Sequence, residues 1–171
     1  MVSRHLPAKP FPPYKYLPGQ TPHPRKHPDG PGRVAEEGAG PPLTEANWQT
    51  NEAYLYGIDL YNHGYWWEAH EAWEEAWVSM KARKAAPSEI LLLQGMIQCA
   101  ALLYNHRRGT TRGVLNQWAK LQPKLAGFTD AWGVDVPALV PMLEPFAEDA
   151  EGCTMNQEGL KLPMHLRDSD D

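Results

Sequence analysis

From Thr44 onward, hydrophobic residues recur every three or four positions, in blocks separated by helix-breaking residues. Thr44 suits an N-cap, and helix formers follow it to Tyr61 or Asn62, with Gly64 as the stop. The second block runs from Tyr65 to Lys84 and closes on Lys81, Arg83 and Lys84, cations that suit a helix C-terminus. Ala86-Pro87-Ser88 interrupts the pattern, and Ser88 caps a third helix that runs to Arg107 and ends at Gly109. A fourth starts at Thr110 or Thr111, with Pro123 kinking or ending it. Asp135 followed by Pro137 reads as a cap with an early-turn proline, so a fifth helix covers 136–150. No run alternates with period two for long enough to make a strand. The pattern predicts an all-α fold, a compact array of about five helices whose short connections make neighbours mostly antiparallel.

Residues 1–43 have a different texture. They hold 11 of the 17 prolines and 5 of the 14 glycines, so neither helix nor central strand fits, and an irregular N-terminal arm is expected. Within it, the Phe11–Pro24 stretch carries Tyr14, Tyr16 and Leu17 on a chain stiffened by proline, which suits docking on a folded body; residues 31–42 read as a mobile linker. The chain thus divides into an arm and linker at 1–43, a helical domain at 44–150 and a polar tail at 151–171, expected to fray.

Charge and cysteine content narrow the class. The 171 residues carry a net charge of −5, so nucleic acid is not the expected partner. The apolar runs fall far short of the ~18 residues of a membrane span. Two cysteines, Cys99 and Cys153, make no disulfide scaffold, and the first residues contain no apolar signal region. A cytoplasmic protein that touches neither membrane nor nucleic acid is the expectation.

The second helix contains an anomaly. At about 100° per residue, His70 lies among Trp66, Trp73, Trp77 and Met80 on the apolar face. Glu74 falls about 40° from His70 and Glu71 about 100°, while Glu68 and Glu75 point outward. An imidazole and a carboxylate on a core-facing stripe are costly unless paired. The third helix is apolar almost all round, yet Gln94, Gln98 and Asn105 form one polar row, with Gly95 beside it to allow a close approach. Two buried helices that each carry a polar line suggest that the lines meet.

His70 and Glu74, at i and i+4, have metal-ligand spacing, but a stable site needs a third protein ligand, so no metal site is assigned. His63 and His106 stand near helix ends, where a solvated histidine is commonest, and Arg107 and Arg108 suit the dipole of the third helix.

The stretch from Leu60 to Trp77, with Asn62, Gly64, Glu68, His70, Glu71, Glu74 and Trp77, is followed by Gly95, Ile97, Gln98 and Ala100 and then by Arg108, Gly109 and Gly113. Together these resemble the bacterial and archaeal helical family catalogued as domain of unknown function 309, over roughly residues 50–125. The resemblance implies a compact helical domain and marks the His70 cluster without naming a reaction.

The expected function is binding of a small polar ligand between helices two and three. His70 is the candidate general base or orienting donor, Glu71 and Glu74 set its charge, and Gln98 and Asn62 position the ligand. Trp66 and Trp77 wall the pocket, and Arg108 stands at its mouth as an anion-binding residue. The alternative is a non-enzymatic protein-interaction module in which the cluster is a structural network. No nucleophile, phosphate loop or complete metal set accompanies the cluster, and no motif names a cofactor.

Overall fold

The computed structural model describes residues 3–32 and 41–165. Among them are five helices: α1 (Glu52–Asn62), α2 (Trp66–Ala82), α3 (Pro87–Arg107), α4 (Thr111–Leu125) and α5 (Val136–Glu148). α3 is the centre, packed against α2, α4 and α5, as its apolar circumference predicts.

Two boundaries differ from the pattern. α1 begins seven residues later than a cap at Thr44 predicts, because Asn51 is the cap and its side chain accepts the Tyr54 N–H at 3.0 Å. Residues 45–50 form turns instead, and the Asn47 side chain closes them by accepting from Thr44 N and donating to Pro42 O. α3 starts at Pro87 with Ala86 as the cap residue, ahead of Ser88, because proline's fixed φ suits the first helical position.

The fold also contains a strand pair that the pattern missed. β1 (Asp130–Ala131) and β2 (Val134–Asp135) pair antiparallel, joined by Trp132 and Gly133 at φ 50° and 78°. Positive φ at both turn residues marks a tight two-residue hairpin. Two-residue strands carry no detectable periodicity. The Trp132 ring is buried and its carbonyl accepts the Tyr54 hydroxyl at 2.8 Å, which ties the hairpin to α1.

The core is rich in aromatics: Trp66, Trp73, Trp132, Tyr54 and Tyr61 are essentially inaccessible. Trp73 fits only because Gly57 has no Cβ, and its indole N–H donates to Tyr54 O at 3.1 Å.

Arm and tail both pack on this body. Asp59, fully buried on α1, accepts from the backbone N–H groups of His5 at 2.7 Å and Leu6 at 2.9 Å. Phe11 stacks on Tyr65, Tyr16 meets Trp67 edge-on, and the Tyr56 hydroxyl donates to Pro10 O. Of the linker reading for 31–42, residues 33–40 lie outside the described residues. The tail does not fray through residue 165. Leu162 is buried, its N–H donates to Asn62 Oδ1 at 2.8 Å, and Met164 bridges Val134. The polar tail residues find partners in the body, which composition alone does not reveal. No helix among the described residues is long and apolar enough to cross a membrane.

Candidate functional site

The polar row of α3 and the His70 stripe of α2 meet. They bound a groove of about 180 Å³ with α4, lined by His70, Glu74, Trp77, Gln94, Gln98, Gln117 and Lys120 together with Ile97 and Ala101. His70 does not reach the sealed core, because its side chain keeps 25% exposure at the groove wall. Gly95, next to the row, admits the Leu125 side chain of α4 and so sets the distance between the helices.

Three carboxylate and imidazole groups converge on α2, of which His70 and Glu74 line the groove and Glu71 stands beside it. His70 Nδ1 stands 3.6 Å from Glu71 Oε1, and its Nε2 stands 3.7 Å from Glu74 Oε2. Glu71 also meets Arg25 of the arm, Nη1 to Oε2 at 3.3 Å. Taking one donor atom from each of His70, Glu71 and Glu74, all lie within 4.8 Å of one another. Ligands bonded at about 2.0–2.1 Å to a tetrahedral metal stand roughly 3.4 Å apart, so small rotamer changes would let the three hold a divalent cation. Glu71 is therefore the third donor that the i, i+4 pair lacked.

Several polar atoms here have no partner. Among the described residues, six buried side-chain N or O atoms lack a hydrogen bond, and His70 Nδ1, Trp77 Nε1 and Gln98 Oε1 are three of them. All three residues line the groove. A buried polar atom without a partner costs about 1–3 kcal/mol, and the groove wall carries three unsatisfied polar atoms, each buried out of contact with solvent.

The other expected site residues go elsewhere. Asn62 holds the tail through Leu162. Trp66 is fully buried and donates its indole N–H to Gln157 Oε1 at 2.8 Å. Arg108 is exposed at the far end of α3, with its guanidinium over the Tyr104 ring.

Trp66 belongs to a second polar centre that the sequence did not announce. Gln157 Nε2 donates to His106 Nδ1 at 2.9 Å and to Leu103 O at 2.8 Å. The accepting Nδ1 puts the imidazole proton on Nε2, which donates to Asp149 Oδ2 at 2.8 Å. Asp149 further accepts the N–H groups of Met155 and Thr154. These bonds, the Met155 N–H first and then His106, hold its carboxyl down at about 2. His106 is 1% exposed, unlike the solvated helix-end histidine expected, because α5 and the tail cover it.

Glu68 was read as outward-facing but is buried, because the arm covers that side of α2. Its Oε1 accepts the Tyr16 N–H at 2.6 Å, Oε2 has no partner, and burial raises its pKa. A carboxylate in the family pattern on an apparently solvent-facing position was the available signal. Asp59, isolated in the wholly buried segment 54–61, gave another.

Fold and site together define a helical domain with an unsaturated polar groove between its second, third and fourth helices. Residues 54–117, from α1 to the middle of α4, match the family model described as Domain of unknown function (DUF309). The match bears out the resemblance in the His70 and Gln98 motifs, and leaves the arm and the tail outside it. Comparison with curated proteins and with solved structures gave no match.

Proposed function

We propose that the groove between α2, α3 and α4 binds a small polar ligand, with His70 as the group that exchanges or orients a proton and Glu71 and Glu74 setting its charge. One observation carries this reading: the unpartnered His70 Nδ1, Trp77 Nε1 and Gln98 Oε1 belong to residues lining one groove. An indole N–H offers a donor, an amide oxygen an acceptor and the imidazole either, so a ligand with both donor and acceptor groups fits. The volume, about 180 Å³, equals about six water molecules of liquid and limits the occupant to a small one. Gln94, Gln117 and Lys120 extend the polar lining.

The donor spacing of His70, Glu71 and Glu74 favours a second reading, a divalent cation as part of the occupant. Native mass spectrometry and elemental analysis of wild type and His70→Gln, purified without chelator, test both. A small molecule or a metal that co-purifies with wild type and is lost from the variant supports the corresponding reading. Wild type that carries neither, with His70→Gln melting more than ~8 °C lower, would make the cluster a structural network.

A further inference from the structure

A larger cleft lies at the turn between α1 and α2 and the end of α3, where the arm and the tail meet the body. It encloses about 490 Å³ and is lined by Lys15, Asn62, His63, Gly64, Arg107 and the tail residues 155–160, with His106 and Cys153 at its floor. Two cations converge on one point of it. A Cβ placed on Gly64 would stand 3.1 Å from Lys15 Nζ and 3.2 Å from Arg107 Nη2. Gly64, at φ 78°, both turns the chain out of α1 and leaves the space into which these groups reach.

Each cation is fixed by neutral groups. Arg107 Nη1 donates to Gly64 O at 2.6 Å and the guanidinium lies over Trp66, while the Lys15 ammonium lies 5.1 Å from the Tyr65 ring centroid. Among the described residues, neither has a carboxylate within 4.0 Å. Glu68 and Glu158 are the acidic groups that act on Lys15 from farther away. Two like charges held this close repel in a partly desolvated site, and each is pushed below its ordinary pKa, first by burial.

A neutral donor completes the lining. Asn62 has its carbonyl engaged by Leu162 N–H, which leaves its amide nitrogen to donate. His63 Nδ1 donates to Asp59 O at 2.7 Å, so the Nε2 of the neutral ring is an acceptor and His63 adds no donor to the set. A guanidinium fork, an ammonium and an amide form a donor set suited to an oxyanion.

We infer that the cleft between arm and tail is an oxyanion-binding site, in which Lys15 and Arg107 take the phosphate or carboxylate group of a small molecule and Asn62 donates to it. The site is independent of the His70 groove, and the arm supplies one of its two charges. The cleft exceeds the size of an inorganic ion, and Asn156 and Glu158 of the tail line the space left for the remainder of the molecule, Gln157 being engaged with Trp66, Leu103 and His106.

Isothermal titration of full-length protein with inorganic phosphate, at constant ionic strength set by sodium chloride, tests this. Saturable binding is expected, weakened at least tenfold in Lys15→Gln and in Arg107→Gln. Lys26→Gln, the same charge change on an exposed arm residue, keeps wild-type affinity. Lys15 is also exposed, so its substitution leaves the fold intact, which a melting curve verifies. Acetate titrated in the same way separates the two sources: tighter phosphate assigns a phosphoryl group, and equal affinity assigns a carboxylate. Absence of saturable binding by either anion, or equal affinity in wild type and Lys15→Gln, overturns the inference.

Discussion

Two histidines, His70 on α2 and His106 on α3, sit within the same few helices and have opposite surroundings. Both His106 ring nitrogens are engaged, and the chain from Trp66 through Gln157 and His106 to Asp149 satisfies donors and acceptors in turn. His70 has carboxylates on both sides at 3.6 and 3.7 Å, beyond good hydrogen-bond length, and its Nδ1 is buried without a partner. A saturated buried network fixes one packing and has nothing left to offer a ligand. An unsaturated one gives up stability for an available valence. The contrast supports the proposal that His106 serves the fold and His70 serves binding.

Substitution at His106 tests that contrast most severely. His106→Ala removes the bonds from Gln157 Nε2 and to Asp149 and leaves a cavity under α5 and the tail, and should cost about 3 kcal/mol. That lowers the melting temperature by roughly 10 °C at this chain length, read by circular dichroism. A fall of under 3 °C would place His106 on the same footing as His70.

Acid titration follows, because two carboxyls are shifted in opposite directions. Asp149 is held down at about 2, so its stabilisation is complete above its unfolded value near 4 and is lost as pH falls toward 2. Asp149→Asn should remove that acid-limb loss. Glu68 is raised by burial, so it favours the fold when protonated, and this contribution disappears as pH rises through its folded value. Glu68→Gln should therefore gain on wild type at pH 7, and the gain should vanish below pH 4. Melting curves across that range decide it; a pH-independent difference would mean that the Glu68 carboxylate is adequately compensated by its surroundings.

His70→Gln and Glu74→Gln should each move the melting temperature by less than about 2 °C, since both residues are partly exposed and His70 lacks a close partner. A loss comparable to that of His106→Ala would erase the distinction between the two centres. The smallest effect belongs to Arg25→Ala at the rim. Its pair with Glu71 is solvent-exposed on the arginine side, and its removal should change stability by about 0.5 kcal/mol or less, with the difference shrinking in high salt.

The helical body was written in local terms. Apolar spacing and Pro or Gly punctuation gave α2, α4 and α5 to within a few residues, because those signals act within one turn of chain. The convergence of His70, Glu74 and Gln98 was also legible, since an imidazole or amide on an apolar helix face stands out against its neighbours whatever the fold. What escaped depends on partners distant in sequence. Glu68 faces outward on an isolated helix and is buried only because Tyr16, 52 residues away, closes over it. His106 ends its helix and is sealed only by Asp149 and Gln157. Through residue 165 the tail is polar in composition and yet packed on the body, because the Gln157 amide and the Leu162 N–H complete bonds that the helices left open. Periodicity records which side of a helix avoids water; it does not record which later segment arrives to cover the other side. That was decided by tertiary packing, and with it the closeness of Lys15 to Arg107, which no spacing along the chain encodes.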